Sequence, residues 1–225
     1  MGFDPFLAKF NANGDHVWSK QLDAPGASFT YTMRTDSAGN VVLAGSFKGT
    51  VDFGGGPLVS AGVDAFVLKL DPNGNHLWSR HFAGTEPILP STFAIGKNGN
   101  IILSGTFSGI VDFGNGPLVE GDVMEPFVTT DLFALVLDSN GNPVWSKSFY
   151  LYNPGNTHAA AMDADGNVIL VGDFYSGVDF GGGMLITEHG DDVFVAKLDA
   201  NGNHLWSHRY GGDSSDHTRE VRIDA

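Results

Sequence analysis

Four tryptophans, Trp18, Trp78, Trp145 and Trp206, lie 60, 67 and 61 residues apart, each near the end of a copy of one phrase. The copies read FDPFLAKFNANGDHVWSKQL, VDAFVLKLDPNGNHLWSRHF, DLFALVLDSNGNPVWSKSFY and DDVFVAKLDANGNHLWSHRY. A second phrase recurs between them: TMRTDSAGNVVLAGSF, FAIGKNGNIILSGTF and AAMDADGNVILVGDF. A third follows each of those: VDFGGGPLV from Val51, VDFGNGPLV from Val111 and VDFGGGMLI from Val178. A unit of roughly 60 residues told about 3.5 times is the mark of an array or a propeller, because such units bury their apolar faces against one another.

Within the unit, apolar residues alternate with others. Phe66, Leu68 and Leu70 share one face, as do Phe194, Ala196 and Leu198. Period two in Val, Phe and Leu is the pattern of strands. Seven Asx/Gly turns punctuate the pattern, at 11–15, 36–40, 71–75, 96–100, 138–142, 163–167 and 199–203. Asp or Asn at a turn start can bond the backbone ahead, and Gly accepts positive φ, so each is read as a hairpin turn.

Each full repeat therefore predicts four strands, A to D: 30–35, 40–47, 64–70 and 76–82 in the first copy. The others follow at 91–95, 100–107, 131–137 and 143–149, and at 158–163, 167–174, 192–198 and 204–210. A longer loop carrying VDFGGG is expected between B and C, and no stretch has helical spacing. Four antiparallel strands per repeat make a propeller blade. The expected fold is an all-β propeller, or a propeller fragment, in one domain over 1–225. It divides into a half blade 3–22, blades 29–82, 91–150 and 157–210, and a half blade 217–225 whose strand A spans Thr218–Asp224.

An apolar fraction of 42% with 17 Phe supplies a core, and 31 Gly supply turns. The net charge is −14 with only 12 Lys and Arg, scattered along the chain. Phosphate binding relies on clustered cations, so nucleic acid and anionic membrane surfaces are poor partners. No apolar run reaches the roughly 20 residues of a membrane span, so membrane insertion is not expected. The N-terminus shows no secretory signal pattern. There is no Cys, so cysteine usage leaves the compartment open.

Taken together, VDFGGGPL and DAFVLKLDPNGNHLWS resemble the bacterial seven-bladed beta-propeller (SBBP) repeat family, over nearly the whole chain. Gly96 departs from the pattern, standing where the other second phrases have Asp. The resemblance implies a propeller, a secreted or cell-surface origin and no enzymatic role. It implies no catalytic residue and fixes no ligand.

Three sets of residues are candidates for more than folding. The tryptophans pack between blades or, as a ring of aromatics, stack on sugars. Asp52, Asp112 and Asp179 of the VDFG phrases either bond backbone amides ahead of a Gly-rich bend or line one rim as a cation or polar-ligand site. The Asx/Gly turns share the composition of calcium loops but lack the length and terminal Glu of an EF-hand; hairpin turns explain them without metal, so no metal site or cofactor is assigned, with bound calcium as the alternative. His16, His76 and His204 each open a strand D, with Pro143 in the third copy. Pro there marks an edge strand, and histidines on separate blades cannot converge on one ion.

One region breaks the symmetry. The second copy carries VEGDVMEPFVTTD (119–131) where the first has VSAGVD (59–64). Its D-to-A connection, FYLYNPGNTH (149–158), packs three aromatics into four residues. Met124, Pro126, Phe127, Tyr150 and Tyr152 are therefore the candidate binding residues, since recognition concentrates in loops on a rigid scaffold. The leading expectation is a non-enzymatic scaffold holding a protein or glycan partner through blade loops. A half-propeller that pairs with a second copy into a ring of about seven blades is the alternative, and an enzyme with a central site is a third.

Overall fold

The computed structural model describes residues 6–22, 28–121, 130–153 and 155–224. Every regular element among them is a strand. The first hairpin is β1 (Phe6–Phe10) and β2 (His16–Gln21). Blade one holds β3 (Ser28–Thr35), β4 (Val41–Asp52), β5 (Pro57–Leu70) and β6 (His76–Phe82), hydrogen-bonded in that order. Blade two holds β7 (Ile88–Ile95), β8 (Ile101–Phe107), β11 (Asp131–Leu137) and β12 (Pro143–Phe149), with β9 (Ile110–Asp112) and β10 (Pro117–Val119) as a separate pair. Blade three holds β13 (Gly155–Met162), β14 (Val168–Asp179), β15 (Met184–Leu198) and β16 (His204–Tyr210). All pairings are antiparallel, and the four-stranded blades are those of a propeller.

The turns form as their sequence dictates. In the turn at 71–75, Asp71 Oδ1 accepts from the amides of Asn73 and Asn75, both at 2.8 Å, and Asn75 Nδ2 donates to Oδ2 at 2.8 Å. The same clamp recurs at Asp36, Asp138, Asp163 and Asp199. The first turn swaps the pair, with Asn11 accepting and donating to Asp15. At Gly96 an added Cβ would stand 2.6 Å from Met162 Sδ, so the side chain is excluded and Asn98 accepts the Asn100 amide instead.

In blades one and three the connection between strands B and C is not a loop but an extension of both strands. In blade one β4 and β5 stay paired from Val41↔Leu70 to Asp52↔Pro57, with a register break between Phe47 and Gly49. The strands bend at that bulge, as bulged strands do. The resulting flap folds back until its tip reaches the start of β6: a Cβ on Gly55 would overlap the His76 ring, and Gly54 adjoins His76 and Lys20. Blade three repeats this with Gly182 and His204. Where Pro143 replaces the histidine, Asn115 replaces the middle glycine, because the smaller ring leaves room for a side chain.

The flaps wedge between neighbouring blades. Val51 and Phe53 join Leu7 and Leu22 of the first hairpin in one buried cluster. Val111 and Phe113 join Phe82 in the second, and Val178 and Phe180 join Phe149 in the third. Each flap phenylalanine lies on the third-strand phenylalanine of its own blade: Phe53 on Phe66 at 5.0 Å, Phe113 on Phe133 at 4.9 Å, Phe180 on Phe194 at 4.8 Å. Two of them also meet the previous blade, at Phe82 (5.3 Å) and Phe149 (5.1 Å). Burying an aromatic ring contributes a few kcal/mol, so these wedges hold the blades at fixed angles.

The C-terminal segment departs from expectation. Among the described residues Thr218–Asp224 belongs to no strand, where a first blade strand is expected. The residues just ahead of it are tethered, His217 Nδ1 to Asp173 Oδ2 at 2.8 Å, the Asp191 N–H to Ser215 Oγ at 3.3 Å and the Asp216 N–H to the Asp191 carbonyl at 2.7 Å.

Candidate functional site

Among the described residues the candidates form two groups that touch at one point, where the Asp179 N–H donates to the Tyr150 carbonyl at 3.4 Å. Asp52, Asp112 and Asp179 sit in the flap tips. Each Oδ1 accepts two amides, from Gly54 (2.7 Å) and Gly56 (3.2 Å), Gly114 (2.7 Å) and Gly116 (3.2 Å), and Gly181 (2.7 Å) and Gly183 (3.1 Å). These carboxylates close the Gly-rich bend. Among the described residues, no three His, Asp or Glu side chains gather as a metal-holding group.

In five of the hairpin turns, at Asp36, Asp71, Asp138, Asp163 and Asp199, the carboxyl lies below its ordinary value. At Asp163 burial works against the charge, but the Asn167 amide group, the Lys197 ammonium and the Asn167 N–H outweigh it and bring the carboxyl from 3.8 down to about 2. At Asp199 the Asn203 backbone and side-chain donors lower the carboxyl. A folded value below the ordinary one means the stabilisation is whole above about pH 4 and fades as pH falls toward 2. Asp163→Asn is therefore expected to lower Tm at pH 7 by roughly 2–4 °C. The gap from the parent should close near pH 2; a gap independent of pH in a calorimetric series would exclude the ionised clamp.

The second group lies where blade two joins blade three. Tyr150 and Tyr152 meet edge to face at 6.1 Å. The connection that carries them is fixed by the flap of blade three: Leu151 bridges Val178, and the Tyr152 amide donates to the Gly177 carbonyl at 2.9 Å. Tyr152 is 53% exposed. Tyr150 covers Gly121, where a Cβ would touch its ring, and so borders the insert directly. Burial, then the neighbouring Tyr152 and Asp131, push the Tyr150 hydroxyl above its usual value. Met124, Pro126 and Phe127 lie outside the described residues.

Beneath the tyrosines is a residue that the strand alternation concealed. Asp131 opens β11 and is buried, with its carboxylate accepting the amides of Gly121 (2.9 Å) and Leu151 (3.1 Å). Burial raises its carboxyl, the two amides oppose the rise and Glu120 adds to it. Asp64 and Asp192 hold the same place in the other blades and are also buried. Asp64 pairs with His81 at 2.6 Å and Asp192 with Arg209 at 2.7 Å. In blade two Ser148 stands where His81 and Arg209 stand, so the cation is replaced by amides of the two irregular connections. The aligned column of Asp64, Asp131 and Asp192 was visible in the repeats, but it sits at the strand boundary, where Asp reads as a turn residue.

The first strands of the blades, β3, β7 and β13, converge on a cavity of about 360 Å³. Arg34, Thr92, Phe93, His158 and Arg219 line it, and the Arg34 guanidinium lies 5.6 Å from the Phe93 ring centre. His158 is paired with Asp173, which also holds His217.

The tryptophans are interblade bolts. Trp18, Trp78 and Trp145 each donate Nε1–H to a turn carbonyl of the next blade, at Pro72 (3.0 Å), Ser139 (3.2 Å) and Ala200 (3.0 Å). Each indole lies over the turn glycine, Gly74, Gly141 or Gly202, where an added Cβ would stand 3.2, 2.8 or 2.8 Å from the ring. Trp206 is different: it is 37% exposed and stacks on His208 at 5.4 Å.

No protein-family model matches the chain. In an alignment of 152 positions that takes in 62% of the chain, it is 24% identical to an uncharacterized WD repeat-containing protein of Acanthamoeba polyphaga mimivirus. That stretch covers 11% of the viral protein. A similarity to a WD repeat protein accords with the β-propeller fold, since WD repeats form four-stranded propeller blades.

Proposed function

We propose that the chain is a non-enzymatic scaffold that binds a protein or glycan through the connections between blades two and three. The observation that carries this reading is the Tyr150–Tyr152 pair, one ring seated and one exposed, beside the enlarged connection at 119–131. An aromatic with a polar tip on a fixed backbone is suited to stacking on a sugar face or anchoring a protein contact. The regular blades supply the rigidity, and the irregular connections supply the surface. The resemblance to the seven-bladed beta-propeller repeat supports a secreted or cell-surface setting.

Binding to a glycan array, together with photocrosslinking from position 152 in native extracts, tests the reading. Tyr152→Ala is expected to weaken the array signal or the crosslinked product at least tenfold with Tm unchanged. A crosslinker placed on the Asp36 turn should capture nothing in common with it. Equal capture from both positions, or full binding by Tyr152→Ala, would sink the assignment.

A further inference from the structure

We propose that the uncovered face of β16 is a docking site for the first hairpin turn of a second copy of this chain, with Trp206 seated over Gly14. The chemistry of the contact is displayed three times inside the molecule. In each case a strand-D tryptophan donates to the second residue of an Asx/Gly turn and lies over its glycine. A lysine from the strand before it reaches the same carbonyl in two of them, Lys9 to Pro72 at 2.8 Å and Lys69 to Ser139 at 3.3 Å. Two residues beyond the tryptophan a cation bonds the turn again: Lys20 to the Gly74 carbonyl (3.3 Å), Arg80 to the Gly141 carbonyl (2.6 Å), and Lys147 to Asn203 Oδ1 (3.4 Å).

The chain carries a fourth donor set and a fourth receptor, and they do not meet. Trp206 has Lys197 on the strand before it, in register, and His208 two residues on. Next comes Tyr210, where Phe82 and Phe149 are buried, but Tyr210 is 58% exposed. The receptor is the turn Asn11–Asp15, hydrogen-bonded like the others, with Gly14 at φ +84°. Around the site of its missing Cβ there is open space, where Gly74, Gly141 and Gly202 each hold an indole. The receptor and donor stand on different elements of one chain, so joining two chains is a heterologous, head-to-tail contact. The Trp206 Nε1–H then donates to the Ala12 carbonyl, with Lys197 and His208 as supporting donors.

The test is sedimentation of the 225-residue chain over a range of concentrations. The mass is expected to rise above 23.9 kDa with concentration. Trp206→Ala removes the donor, and Gly14→Asn fills the receptor with a residue that tolerates positive φ. Each variant alone should stay at the single-chain mass. Their equimolar mixture should regain association but stop at two chains, because one variant keeps the turn and the other keeps the tryptophan. Trp206→Phe, which keeps ring bulk and loses the donor, should weaken association about tenfold and covers the case in which Trp206→Ala does not fold. A parent chain that stays at 23.9 kDa throughout, variants that associate like the parent, or a mixture that does not regain association would each overturn the proposal.

Discussion

Trp145→Ala is expected to cost about 3–5 kcal/mol of unfolding free energy, while Trp206→Ala in dilute solution costs roughly 0.5 kcal/mol or less. The two residues hold the same place in the repeat and differ in what covers them. Trp145 is 7% exposed, packed over Gly202 and bonded to the Ala200 carbonyl, and Trp206 is 37% exposed. Truncating Trp145 empties the space between blades two and three and leaves the Ala200 carbonyl without its indole partner. Truncating Trp206 removes surface that water already reaches. Urea titrations of the two variants decide the matter through the midpoint. Equal costs would mean that the tryptophans stabilise their own strands and do not bolt blade to blade.

Phe180→Ala is expected to cost a similar 3–5 kcal/mol and to change the shape of unfolding. Phe180 is buried between Phe194 of its own blade and Phe149 of the previous one, at 4.8 and 5.1 Å. Blades touch mainly their sequence neighbours, so stability is close to a sum of blade and interface contributions. Weakening the interface between blades two and three should let blade three melt first, splitting one transition into two. Calorimetry of the variant beside the parent reports this directly. A single transition with a small loss would mean that the flap lies on the surface and does not act as a wedge.

The strand framework was legible because the repeat supplied its own comparison. Agreement among copies fixed the turns: Asp71, Asp138 and Asp199 clamp alike, and the predicted strands 131–137, 143–149 and 204–210 match β11, β12 and β16. The VDFGGG phrase misled because its glycines and Asp are those of a loop, and they do make a tight bend. What the phrase conceals is that Val51 and Phe53 are core residues, folded back through a bulge at Phe47 and Gly49. The Asp52, Asp112 and Asp179 carboxylates serve that bend. The tyrosine pair was visible as a break in symmetry, yet the buried Asp131 below it was not. Its burial comes from the Gly121 and Leu151 backbone closing over it.

The sequence by itself determined the blade: alternating apolar residues and Asx/Gly turns are local, and local hydrogen bonds and side-chain alternation suffice to make four antiparallel strands. Only the tertiary structure decided which copies of one motif are sealed and which are open. Trp78 and Trp206 are written in nearly the same words, HLWSR and HLWSH. One is bonded to the turn of a following blade, and the other faces solvent, because burial belongs to the neighbour that covers a residue.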